Sequence, residues 1–271
     1  MSRPWRQAAL EEVGGAAGAV LRSPPTRYDD QMPKKLTRRL PSTSRRVRIL
    51  SLLSLAAVAW SAHAADDTKS ACPGAAAWKA AHPDSSEAAM NMRDAGRTLS
   101  RPDILEELRR RVGADQAARR VMLAHPGDDG AIRAVAQVDD DDVAWLTRLL
   151  KKDGFPRINQ IGEVGLHLMW VLVQHADRDP PLQQLVLKAF ERLHAANEVS
   201  GDDLARLTDR VLVNQNQPQR YGTQFDWASG RFDPKDIADA AEVDRRRREL
   251  ELMPLADYAC VMNRALASGL Q

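Results

Sequence analysis

Three short stretches of this chain hold the residue types that do chemistry. Gln174-His175-Ala176-Asp177-Arg178-Asp179-Pro180 offers an imidazole and two carboxylates at alternate positions. Leu207-Thr208-Asp209-Arg210 adds an adjacent acid and base. Pro218-Gln219-Arg220-Tyr221-Gly222-Thr223-Gln224-Phe225 crowds donors and acceptors around a glycine. An imidazole oriented by a carboxylate is a generic acid–base layout, so His175 is the candidate base and Asp209 its orienting partner. Asp177, Arg210, Gln219, Tyr221, Thr223 and Gln224 are the candidate ligand-binding side chains, because folding alone rarely demands such polar density. A purely structural account competes at several of these positions. Asp179 before Pro180 reads first as a helix N-cap. His175 suits a helix C-terminus. Asp209 or Arg210 could tie the polar loop to a helix.

Metal chemistry is not expected from this pattern. Side chains two apart on a helix diverge, and a metal needs three or four convergent ligands. The stretch also lacks the glycine that a calcium loop places at its sixth position. No cofactor is expected either. The chain has no G-x-S-x-G elbow, H-E-x-x-H pair, P-loop or dinucleotide-binding glycine pattern. His167 sits in an apolar segment and reads as a satisfied core residue. Arg245 to Arg248 reads as a solvated helix face from which one arginine could reach an anion.

The elements that must position these residues are helices. Ile104, Leu105, Leu108 and Val112 recur at helical spacing after Pro102, and a second short helix is expected from Ala114 to Ala124. Asp139 to Asp142 precedes Val143, Trp145, Leu146 and Leu149, which predicts a helix N-terminus there. Residues 163–174 are apolar nearly all round, as a central helix must be. Helices restart at Asp179-Pro180 and at Ser200-Gly201-Asp202-Asp203. Residues 215–231 break the pattern as a polar loop or small β-hairpin. Helical period returns over 237–252, and Pro254 opens a terminal helix. The expectation is a mainly α, single globular helical domain with short connections.

Residues 32–64 read as a secretory signal peptide. Lys34, Lys35, Arg38, Arg39, Arg45, Arg46 and Arg48 precede the apolar run Ile49 to Trp60, and Ala62-His63-Ala64 closes it as a cleavage site. The run is too short to span a bilayer comfortably. Arg48 stands where a twin-arginine motif prefers a large apolar residue, which favours the general secretory route. Residues 1–31 then read as an over-extended start before Met32. Cleavage near Ala64 would send residues 65–271 to the periplasm or outside the cell with no stable membrane anchor. Residues 65–101 form a partly ordered lead-in, and 102–271 the helical domain. Residues 65–271 hold 28 Lys+Arg against 33 Asp+Glu, so no nucleic-acid partner is expected. The two cysteines, Cys72 and Cys260, would pair in an oxidising compartment.

Residues 142–258 resemble the bacterial domain-of-unknown-function family number 6624. The likeness rests on Gly165 to Gln184, on Leu207 to Val213 and on Pro218 to Phe225, with support from Val243-Asp244-Arg245-Arg246 and Pro254-Leu255. The family pattern has a glycine where this chain has Asn216, and another near Glu251. The resemblance implies a shared fold and a shared polar site, but no known reaction. The sequence therefore supports an exported protein binding a small polar ligand. The alternatives are a hydrolase using His175 and Asp209, and a structural or interaction domain of the envelope.

Overall fold

The computed structural model describes residues 71–269 except Ser229. The signal segment at 32–64 and the stretch before it lie outside the described residues. Among the described residues, nine α-helices and one β-hairpin follow in order: α1 (Pro73–Ala81), α2 (Glu87–Ala95), α3 (Pro102–Ala124), α4 (Asp129–Asp153), α5 (Ile158–Gln174), α6 (Pro180–His194), α7 (Gly201–Asn214), β1 (Phe225–Ala228), β2 (Arg231–Pro234), α8 (Val243–Glu249) and α9 (Leu255–Gly269). The protein is mainly helical, as its periodicity predicts.

Helix α5 is the hub, packing against α2, α3, α4, α6 and α7. Its apolar surround explains this placement: Ile161, Leu166, Met169, Trp170 and Val173 are all essentially without solvent contact. They meet Leu108 of α3, Leu146 of α4, Phe190 of α6 and Leu207 of α7 in the main core. Each such side chain contributes about 1.5–3 kcal/mol by leaving water. A smaller core gathers Ala75, Phe225, Phe232, Met253, Tyr258, Val261 and Met262. The Cys72–Cys260 disulfide closes it, joining positions 188 residues apart at a Cα separation of 5.9 Å. Strand β1 pairs antiparallel with β2, Trp227 opposite Phe232.

Local signals set most boundaries. Asp179 accepts the Leu182 N–H at 3.1 Å and Ser200 accepts the Asp203 N–H at 3.1 Å, each as an N-cap. Within α5, Gly162 adopts φ 78°, so the helix proper restarts at Glu163. Asp94 of α2 caps that restart from a distance, accepting the N–H groups of Glu163 and Val164 at 2.9 and 2.8 Å. A Cβ on Gly162 would lie 2.4 Å from Asp94 Oδ2. Asn216 and Glu251 both adopt left-handed backbone, at φ 57° and 54°.

Three expectations are corrected. Helix α3 runs unbroken from Pro102 to Ala124, because Gly113 costs only propensity and packing on α4 and α5 outweighs it. Helix α4 begins at Asp129 with Asp128 as its cap, ten residues before the predicted acidic start. Asp139 to Asp142 therefore lie mid-helix, where two of them point inward to arginines of α3. Arg246 and Arg247 are buried and not solvated. Their guanidinium groups have carbonyl partners, described below.

Candidate functional site

Helix α7 separates two polar systems, and they differ in what is left over for chemistry. The first is the loop at 219–224. The Asp209 carboxylate, fully buried, accepts N–H groups from Arg220 at 2.7 Å, Tyr221 at 2.9 Å and Thr223 at 2.8 Å, and the Thr223 hydroxyl at 2.9 Å. Burial pushes this carboxyl above its ordinary value, although the four donors favour the ion. Gln219, also fully buried, accepts the Gln224 N–H at 2.8 Å and donates to the carbonyls of Gln224 and Lys235 at 3.0 and 2.8 Å. From the other side, Arg246 donates to the Arg220 carbonyl at 2.9 Å, and Arg247 to the Tyr221 carbonyl at 2.5 Å. Gly222 needs its φ of 75°, with Leu255 and Ile237 packed where a Cβ would go. The side chains of Asp209, Gln219 and Thr223 thus hold the loop, whereas Tyr221 enters it through its backbone N–H and carbonyl. Gln224 is half-buried and donates to the Thr223 hydroxyl at 3.3 Å.

The second system surrounds the end of α5. His175 caps that helix, and the chain turns through Ala176 and Asp177 to Asp179. This turn frees His175 and Asp177 from the divergence that a continuing helix would impose. Asp177 receives the Arg210 guanidinium through Nε at 2.8 Å and through a second nitrogen, with Gln183 at 3.1 Å and Asn214 at 2.9 Å. These bonds outweigh burial and hold its carboxyl below the ordinary range. Asp177 and Arg210 are therefore brought together as an ion pair. Asp209 does not orient His175.

That place is taken by Asp115 of α3. His175 Nδ1 lies 3.0 Å from Asp115 Oδ1, and both side chains are almost entirely buried. Gln116 donates to the other Asp115 oxygen at 2.8 Å. Arg119, one turn along α3, donates Nε to Asp115 at 2.8 Å and reaches Asp139 of α4 with its terminal nitrogen. Burial lowers the proton affinity of His175. It raises that of Asp139, whose pKa rises to about 7. The Asp115 carboxyl stays below its ordinary value because His175 and Arg119 overcome its burial. One oxygen from each of Asp115 and Asp139 and one nitrogen of His175 lie within 4.8 Å of one another, a set that could hold a metal ion.

Asp115, Arg119 and Asp139 are absent from the site read in the sequence. A signal for them exists nevertheless. In α3 the buried stripe Ile104, Leu108, Val112 continues at helical spacing into Asp115 and Arg119. In α4 the stripe Val135, Leu146, Leu149 encloses Asp142 at the same spacing, and Asp139 fills the position one turn after Val135. A charged residue on the core-facing stripe of an amphipathic helix is the mark of a buried ion network.

Residues 102–271 match the profile of DUF6624, a family of unknown function. The chain belongs to this family. The match covers α3 through α9, so both polar systems of this DUF6624 protein lie inside it. No curated protein and no solved structure matches the chain. Among the described residues no helix is long and apolar enough to cross a membrane. The disulfide of this DUF6624 member is compatible with an oxidising compartment.

Proposed function

We propose that this is an exported protein that binds a small polar molecule at the centre formed by His175, Asp115, Arg119 and Asp139, with Asp177 and Arg210 beside it. The observation that carries this reading is the convergence of buried ionisable groups from α3, α4 and the end of α5. Burying such groups is a poor way to stabilise a fold, since apolar side chains of equal volume commonly do as well or better. In the loop system the buried side chains mainly bond backbone groups, whereas the His175 centre joins ionisable side chains to one another. Export rests on the signal pattern at 32–64, with the disulfide as support. Fragments of the cell wall, being sugars and peptides rich in carboxylates and amides, match the charged and hydrogen-bonding chemistry of these side chains.

The test is thermal unfolding of the full chain with and without millimolar muropeptides, dipeptides and amino sugars, against His175→Gln. The expected result is a raised midpoint for at least one class, lost in the variant. No shift for any class, together with a large loss of stability in His175→Gln, would make the centre part of the scaffold. Hydrolysis at the same centre is a second reading, favoured by one observation: Asp115 fixes His175 through Nδ1 as an orienting carboxylate fixes a catalytic base. Turnover of a muropeptide by the native chain, lost in His175→Gln, would support it.

A further inference from the structure

We propose that Asp115, Asp139 and His175 form a binding site for one divalent transition-metal ion of the zinc or manganese class. This inference rests on the reading that the His175 centre is where the protein acts, and it names a ligand for that centre.

The argument starts from the donors. Three elements distant in sequence each supply one ligand atom, and the three atoms lie within 4.8 Å of one another. Oxygen and nitrogen ligands stand about 2.0–2.2 Å from zinc, so two ligands of one tetrahedral ion are about 3.3–3.6 Å apart. Closing the set around an ion therefore needs its widest pair to approach by no more than about 1.5 Å on that geometry. Asp115 and His175 are both buried, which sets the group apart from a surface patch of acids. The donor chemistry narrows the ion. An imidazole with two carboxylates suits zinc or manganese. Calcium and magnesium prefer oxygen alone, and no thiolate is present to select a softer ion. Gln116, bonded to the remaining Asp115 oxygen at 2.8 Å, is the outer partner that would keep this ligand oriented.

A second observation shows that this place holds positive charge. The Arg119 guanidinium bridges Asp115 and Asp139. It sits between the two carboxylates that a metal would join. An ion must displace it, so Arg119 is a built-in competitor, and its removal should strengthen metal binding.

The experiment uses the untagged full chain, stripped with EDTA and titrated calorimetrically with zinc chloride and with manganese chloride. One ion per chain is expected for the native protein. Asp139→Asn and His175→Gln, checked for native circular dichroism, should weaken binding at least tenfold. Arg119→Gln should tighten it at least tenfold and guards against mistaking a folding failure for a lost ligand. Native-like binding by Asp139→Asn would overturn the proposal and mark the uptake as adventitious. Absence of binding by the native chain would also overturn it, even if Arg119→Gln bound, because the guanidinium would then keep the place closed. A muropeptide shift without metal binding would leave the polar-ligand reading standing and remove the metal from it.

Discussion

Replacing Asp209 by alanine should be among the most damaging single changes in this protein. Its carboxylate, fully buried, accepts three backbone N–H groups and one hydroxyl from the 220–223 turn. Alanine leaves all four donors in a dry setting, with Arg246 and Arg247 still holding the carbonyl side of the same turn. Each buried donor left unsatisfied costs about 1–3 kcal/mol. The hydroxyl can rotate to another acceptor and some water will enter, so the net loss should be about 3–5 kcal/mol. For a domain of this size that lowers the melting midpoint by roughly 8–15 °C. Asp209→Asn keeps one acceptor oxygen and should lose about half as much on the same count. Asp140→Ala, which removes an exposed pair with Arg178, should change stability by less than about 0.5 kcal/mol. The assay is urea unfolding of the three variants followed by circular dichroism. A midpoint for Asp209→Ala equal to that of Asp140→Ala would refute the assignment of Asp209 to the scaffold. It would return Asp209 to the chemistry that the sequence suggested.

Other consequences are accessible to the same measurement. Cys72→Ser with Cys260→Ser should destabilise by up to about 5 kcal/mol on the chain-entropy estimate, and fluorescence of Trp78, which packs half-buried against the smaller core, should report the loss before signals from the main core. Glu251→Gly should raise the melting midpoint by a few degrees, since Glu251 stands at φ 54° and left-handed backbone costs a non-glycine residue about 1–2 kcal/mol. Gly162→Ala should do the reverse, because its Cβ would strike the Asp94 cap of α5; hydrogen exchange at Glu163 and Val164 should rise in that variant. Burial opposes protonation of His167, but Asp203, at 2.9 Å from Nδ1, raises its pKa above the ordinary value. Its contribution is therefore complete below the unfolded pKa and is lost as pH rises through the higher folded one. Melting against pH for the native chain and His167→Gln should show a gap that narrows from about pH 6 upward; a constant gap would sink the assignment.

What the sequence showed and what it hid divides along one physical line. Asp179, Pro180, Ser200 and Pro254 act on the backbone within four residues, and each marked its helix boundary correctly. The only two cysteines left one pairing to consider, and it formed. The His175 turn was visible because Pro180 had to end the preceding helix. Asp139 to Asp142 misled because consecutive aspartates fit an N-terminus as well as a buried network. What decides between them is Arg119 and Arg111 on another helix, some 20 and 31 residues away. Asp115, the true partner of His175, is 60 residues distant. Arg246 and Arg247 looked solvated because their acceptors are backbone carbonyls, which composition does not reveal.

The two polar systems meet through the geometry of α7. Successive residues on a helix project about 100° apart. Asp209 can therefore face the 219–224 loop while Arg210 faces the turn after His175. The loop grips Asp209 with four donors, and this fixes the rotation of α7 about its own axis. Arg210 is then delivered to Asp177 without searching rotamers over a mobile scaffold. The same logic applies at the other wall, where Gln116 and Arg119 fix the carboxylate that fixes His175. On the proposed function, a site held from both sides by such buried groups would lose little freedom when a ligand arrives, which is how preorganisation strengthens binding. The loop motif and the histidine motif thus need not touch a common ligand to belong to one function. The first sets the frame in which the second is displayed.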